Sequence, residues 1–219
     1  MNRKELETKR VFIISDTHFN HRAVLRFERG EFKTIKEHDE YIIKKWNSVV
    51  KDDDIVFHLG DLGLGSRNEI EEIVKRLNGH KILIRGNHDN FNDEFYLKIG
   101  FEEVYRNPVY IGKIVLSHFP LYEALNNPYI INVHGHLHSS TLSLDNYSCV
   151  SCKKINYTPV LINNFKKRVQ KLKSRKERFL DEWYAKYYVF DDKNREDIVY
   201  DSDGKINIEE SKRLLGRTK

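Results

Sequence analysis

Five short blocks hold the residues of this chain whose types suit metal and phosphate chemistry. They are Asp16-Thr17-His18, Gly60-Asp61, Gly86-Asn87-His88-Asp89, Ser117-His118 and Gly135-His136-Leu137-His138. Carboxylate, imidazole and amide oxygen are hard or borderline donors, suited to Mn²⁺, Fe²⁺, Zn²⁺ and similar ions. One carboxylate can bridge two cations. Two cations about 3.5–4 Å apart can hold a bridging hydroxide and clamp a phosphoryl group for in-line attack. Coordination also lowers the pKa of bound water, so hydroxide is available near neutral pH. Each block alone is weak: Asp-x-His can cap a turn, a single histidine can sit in a core, and Gly-His-x-His can be a surface turn. Five such blocks in a chain with ten histidines are not explained that way. Gly60, Gly86 and Gly135 each precede a candidate ligand, and a glycine free to take positive φ is expected to make the sharp turn there.

The elements that must position these blocks are legible as hydrophobic patterns. VFIIS (11–15) is a short apolar run ending in a polar turn, which predicts a buried strand. The stretch 34–51 has Ile35, Tyr41, Ile42, Trp46 and Val49 near helical spacing, with Thr34 and Glu37 as a capping box. DDDIVFHLGD (52–61) is a turn feeding a second strand. Residues 67–77 read as a helix stopped by Asn78-Gly79, and KILIRGNHD (81–89) as a third strand ending in a turn. Strands alternating with helices over short connections indicate an α/β layered sheet. From Phe101 the pattern becomes short strand-like runs: FEEVY, PVYIG, KIVLSH, YIINVHGH, STLSL and NYSCVS. A meander or a second sheet packed on the first is expected. Every block follows an apolar run, and loops at the carboxyl ends of such strands gather at one edge, where ligands bind.

In this order the blocks resemble the calcineurin-like metallophosphoesterase superfamily, whose pattern is D-x-H … G-D … G-N-H-(D/E) … H … G-H-x-H. Every position of it is filled over roughly residues 10–160. A compact bacterial and phage branch is similar in further detail: ISDTHFNH, a helix with WN, then HLGD, ILIRGNHD, LSHFP, HGHLH and a closing Y-x-P-V. The resemblance implies an α/β fold, a two-sheet sandwich flanked by helices, with two divalent metal ions at one edge. Manganese is placed first; iron, zinc, nickel and magnesium are alternatives. It implies that Asp16, His18 and His138 hold the first metal, that Asn87, His118 and His136 hold the second, and that Asp61 bridges both. His88 would sit beside the substrate phosphate, stabilising charge or protonating the leaving oxygen. Asp89 joins Asp61 and His88 among the catalytic positions in a supporting role. Asn20, His21 and Arg85 are candidates for phosphate contact or ordinary surface groups.

Three other histidines read as bystanders: His58 in a core or behind the ligands, His80 in a loop, His38 on an exposed helix face. Cys149 and Cys152, spaced C-x-x-C, read as two ordinary thiols, because a structural zinc site needs four ligands and no second pair lies nearby. Hydrophobic residues at 39% and charged residues at 32% fit a soluble globular chain rather than a disordered one. No apolar run could span a bilayer. The charged N-terminus without a signal-like apolar region suggests a cytoplasmic protein.

The chain divides into a catalytic domain at 1–160 and a basic helical extension with a polar tail at 161–219. Residues 163–190 read as one long helix. KKRVQKLKSRKER (166–178) holds eight Lys/Arg and one acid, either a phosphate-facing stripe or a solvated helix face whose apolar side packs on the core. VYDSDGKINIEE (199–210) matches a Ca²⁺-binding loop in part. Its first position is Val199, so it reads as an Asp/Gly turn. The net charge of +5 permits an anionic partner. The expected activity is metal-dependent hydrolysis of phosphoesters, with phosphodiesters in nucleotides or nucleic acid preferred. The alternatives are a phosphomonoesterase or an inactive metal-binding scaffold.

Overall fold

The computed structural model describes residue 6 and residues 8–127, 130–140 and 142–169. The chain separates into two compact units, residues 1–174 and 175–219, and the architecture below belongs to the first.

Strands β1 (Val11–Ile14), β2 (Ile55–His58), β3 (His80–Ile84) and β4 (Phe101–Tyr105) lie parallel in the first sheet. A short antiparallel strand, to be called β9 (Val160–Leu161), completes it beside β1, giving the order β4-β3-β2-β1-β9. The second sheet contains β5 (Val109–Ile111), β6 (Ile114–Ser117), β7 (Ile131–His134) and β8 (Tyr147–Cys149), in that order. Its β6-β7-β8 pairings are parallel, and β5 runs antiparallel to β6. The helices are α1 (Val24–Phe27), α2 (Ile35–Val49), α3 (Arg67–Val74), α4 (Asp93–Lys98) and α5 (Tyr122–Asn126).

Strands covered on both faces must be apolar throughout, and β1, β2, β6 and β7 are buried at every residue. Alternation along β1 assigns its two faces. Phe12 and Ile14 join Ile42, Trp46, Ile70, Val74 and Phe95 in a core between sheet and helices. Val11 and Ile13 join Ile114, Leu116, Ile131 and Val133 in a core between the sheets. Full burial of each large apolar side chain contributes roughly 1.5–3 kcal/mol, so the two layers fix the edge where the strands end.

Several elements differ from the sequence reading. Of the two arrangements expected for the later strands, the second sheet is the one formed, with β6-β7 and β7-β8 parallel and each needing a crossover. FEEVY joins the first sheet as β4. The described residues of STLSL form no strand. Helix α3 stops at Val74, although Leu77 stays buried. Thr34 accepts from the Glu37 amide as expected, but the Glu37 carboxylate reaches past the cap to the Lys33 amide at 2.9 Å, so the box is not reciprocal. His80 opens β3 rather than lying in a loop, and its ring pairs with Glu102 at 2.5 Å. Short helices α1, α4 and α5 were not anticipated; at four to six residues they show too little periodicity to register. Residues 163–169 are helical, with Phe165 buried in the inter-sheet core. The rest of the expected long helix, most of its basic run and the 199–210 turn lie outside the described residues. Both cysteines are free thiols, Cys152 buried and Cys149 half-buried. No helix among the described residues is long and apolar enough to cross a membrane.

Candidate metal centre

All five blocks converge where parallel strands end. Asp16 and His18 follow β1, Asp61 follows β2, Asn87 and His88 follow β3, His118 follows β6, and His136 and His138 follow β7. The sheets are joined at this edge by a bridge between Ser15 and Ser151. The His136 amide donates to both oxygens of Asp16, at 3.1 and 3.0 Å.

The turns are made largely by the candidate ligands themselves. Asp16, His18, Asp61, His136 and His138 all have φ between +48° and +65°. This left-handed region is costly for residues with a Cβ and persists only where surrounding bonds enforce it. Here the Asp16 amide donates to the Gly60 carbonyl and the His18 amide to the Asp61 carbonyl, each at 3.0 Å. The glycine expectation therefore holds only for Gly60, at φ +87°. Gly86 and Gly135 are needed for close approach instead. A Cβ on either would strike a carboxylate oxygen, that of Asp61 or of Asp16.

Asp16, His18, Asp61 and His138 each offer a donor atom within 4.8 Å of the others; the first three are buried and His138 is half-buried. His18 Nε2 and His138 Nε2 face each other at 3.3 Å. His138 gives its Nδ1 hydrogen to Glu28 at 2.5 Å, so in the neutral ring Nε2 carries a lone pair. Nitrogen and carboxylate donors crowded in a buried space, with one lone pair aimed inward, fit a divalent cation. Burial, helped by the charge of Arg29, holds the His18 pKa far below its ordinary value and keeps that ring neutral, as a ligand must be. Asp61 reaches to the other side. Its Oδ2 lies 3.7 Å from His18 Nε2 and 3.5 Å from His118 Nε2. Beyond it, His118 Nε2 meets Asn87 Oδ1 at 3.0 Å, and the His118 and His136 ring centroids are 5.2 Å apart. Burial lowers the His136 pKa as well.

His88 is half-buried at the rim. Its amide donates to Asp61 Oδ1 at 2.8 Å, and its ring lies 5.6 Å from His18 and 5.9 Å from His21. His21 also places Nδ1 3.2 Å from His18 Nδ1. The other two candidates for phosphate contact are engaged elsewhere. Arg85 pairs with Asp93 at 2.7 Å and donates to the Asp89 carbonyl. The Asn20 side chain lies against Gly65 and bonds Glu69, while the Asn20 backbone N–H donates to Asp39 at 3.0 Å. Asp89 is buried, and its oxygens accept from the amides of Gly86, Asp61 and Leu62 at 2.7, 2.9 and 3.0 Å. It therefore ties the second and third blocks together.

A supporting layer escaped the sequence reading. Arg29 is fully buried and donates to the carbonyls of Thr17, at 2.7 Å, and Asp16. Its guanidinium meets His38 Nε2 at 2.6 Å, and His38 Nδ1 meets Asp39 at 2.7 Å. His38 is therefore buried, correcting the exposed placement. The overlooked signal was its spacing four residues before Ile42 and eight before Trp46, on the apolar face of α2. Thr17 gives its hydroxyl hydrogen to the Leu62 carbonyl at 2.7 Å and so accepts from His58 Nε2 at 2.9 Å. Ser151 donates to Asp16 at 2.8 Å. Nothing in the sequence around Glu28, Arg29 or Ser151 marks them.

A two-sheet α/β sandwich with a buried Asp/His cluster at its strand ends is an architecture suited to metal-dependent hydrolysis. Residues 9–208 match the sequence model of the calcineurin-like phosphoesterases, and the chain belongs to that family. An uncharacterised protein of Methanocaldococcus jannaschii is 34% identical over 184 residues, covering 76% of this chain and 94% of its own. The gene 66 protein of Mycobacterium phage L5 is 32% identical over 157 residues, covering 57% and 75%. The crystal structure of an Aquifex aeolicus protein of unknown function superimposes with a TM-score of 0.57 at 28% identity, covering 73% of this chain and 99% of its own. The family match runs past residue 160, into the segment that the sequence reading set apart as an extension.

Proposed function

We propose that this protein hydrolyses phosphodiester bonds, in a nucleotide or nucleic acid, with two divalent cations held across Asp61. The observation that supports this best is the placement of Asp61 Oδ2 between His18 and His118, at 3.7 and 3.5 Å. Asp16, His18 and His138 would complete one set of ligands, and Asn87, His118 and His136 the other. Such cations, manganese first among them, supply Lewis acidity and lower the pKa of bound water. The chain's own residues do the rest. The His88 ring, at the open rim, stabilises charge on the phosphoryl group or gives a proton to the leaving oxygen. Asp89 keeps His88 and Asp61 in register through the amides it holds.

The preference for a nucleotide or nucleic acid rests on the opening of the site. Phe119 is 46% exposed, and its ring centroid lies 4.4 Å from that of His136 and 4.9 Å from that of His118. An exposed aromatic face beside the reacting centre suits a planar group such as a base. The basic composition of 166–178 agrees in sign with a polyanion.

The test is manganese-dependent hydrolysis of bis-p-nitrophenyl phosphate beside p-nitrophenyl phosphate. Asp61→Asn should lose bound metal and diester hydrolysis together. His88→Ala should keep the metal and lose roughly 10²–10⁴-fold in kcat, the range for a positioned acid or base. Turnover of the monoester alone would replace this reading with a phosphatase. Metal binding without turnover of either ester, and of nucleotide diesters next, would indicate a scaffold.

A further inference from the structure

Glu28 is the C-cap of α1, with a non-helical backbone (φ −140°, ψ −32°). The carboxylate is only 10% exposed and spans 110 residues of sequence to meet His138 Nδ1 at 2.5 Å. Its other oxygen, Oε1, is buried without a hydrogen-bond partner. A half-satisfied buried carboxylate costs stability, and neither nearby cation offsets that by a hydrogen bond. Arg29 Nε is 3.8 Å from Oε2, beyond bonding reach. Lys153 Nζ donates to the Glu28 carbonyl instead. The one strong bond of this carboxylate is the one to His138.

We infer that Glu28 is a positioning residue: it fixes His138 as the Nδ1–H tautomer and strengthens Nε2 as a donor to a cation at Asp16, His18 and Asp61. This rests on the metal-binding part of the function proposed above. The physical basis is general. A carboxylate that accepts the distal N–H of a ligating imidazole sets its tautomer and ring angle and raises its basicity. The contrast with His118 is direct, for its Nδ1 is held by the neutral Leu59 carbonyl at 2.8 Å. A carbonyl fixes orientation without adding charge. A carboxylate does both.

The experiment uses the full chain, stripped of metal, and calorimetric titration with Mn²⁺ for wild type, Glu28→Gln and Glu28→Ala. Glu28→Ala should bind Mn²⁺ about 10–100-fold more weakly. Glu28→Gln keeps an acceptor oxygen but loses the charge, and should fall between. The second readout is histidine ¹⁵N NMR of the apo proteins. Wild type and Glu28→Gln should show His138 protonated at Nδ1, while Glu28→Ala should show a mixture of tautomers. A purely structural role would not move the tautomer, and Glu28→Gln remains informative if Glu28→Ala does not fold. Wild-type affinity within twofold in both variants would overturn the inference while leaving the metal reading intact. So would an Nε2–H tautomer of His138 in wild type. Absence of Mn²⁺ binding by wild type would overturn both.

Discussion

The two halves of the proposed metal centre are built on different principles. The half around Asp16, His18 and His138 is backed by buried charge: Arg29 beneath Asp16 and Thr17, His38 and Asp39 beyond it, Glu28 behind His138, and Ser151 on the Asp16 carboxylate. The half around Asn87, His118 and His136 has one buried carboxylate behind it, that of Asp89 on the Gly86 amide, and main chain behind His118, the Leu59 carbonyl, and it borders solvent through the exposed Phe119. Apart from the shared Asp61, the first half contains one candidate carboxylate ligand and the second none. The difference separates two jobs. In the centre proposed above, a charge-rich, buried half would fix geometry and hold its cation firmly. An open half with neutral donors can accommodate a ligand that arrives from solvent.

The largest effect that would test this contrast is on stability, and it should fall on the first half. Arg29→Met removes a fully buried guanidinium and leaves the Thr17 and Asp16 carbonyls and His38 Nε2 without that partner. Breaking one side of such a buried charged network costs on the order of 3–5 kcal/mol. Chemical denaturation should show this loss, while Asn87→Ala, at an exposed position of the second half, should change stability by less than about 1 kcal/mol. Equal losses would mean that the halves are equally stiff.

The same contrast explains what was legible in the sequence. The five candidate blocks were readable because chemistry restricts their residue types, and the structure gathers them at one edge because each follows a strand end. The parallel strands were readable because burial on both faces makes them apolar without interruption. The charged support was not readable. Glu28 and Arg29 follow a four-residue helix with no periodicity, and their partners, His138 and Thr17, are chosen by tertiary packing. His38 was misplaced because polarity was weighed above its spacing with Ile42 and Trp46. The assignment of FEEVY to the first sheet was equally hidden, since a pattern reports burial but not which neighbour provides it.

A second, smaller effect should appear in the pH dependence of stability, and again on the first half. His58 is fully buried against Thr17, and burial, with the neighbouring His118, lowers its pKa from 6.5 to about 3. The unfolded chain takes up a proton below pH 6.5, whereas the folded chain resists until about pH 3. The contribution is therefore complete above pH 6.5 and is lost progressively as the pH falls toward 3. The His38 pKa is also lowered by burial, so it adds in the same direction. The metal-free protein should lose on the order of a few kcal/mol between pH 7 and pH 4. His58→Gln, whose amide can still donate to Thr17, should flatten that slope. An unchanged slope would remove His58 from the account.

The smallest effect belongs to the open half and concerns binding. Phe119 touches the rings of His118 and His136 with one part and presents the rest to solvent. If it serves as a stacking surface, Phe119→Ala should raise KM for a dinucleotide substrate while leaving KM for a purely alkyl diester unchanged. Loss of one base stack is worth about 1–3 kcal/mol, which corresponds to roughly 5–150-fold in KM. Phe119→Trp should restore binding, because any planar apolar ring serves. A parallel rise in KM for both diesters would mean instead that the ring only braces His118 and His136. In that case the second half would depend on side-chain packing as the first depends on charge, and its openness would carry no preference for bases.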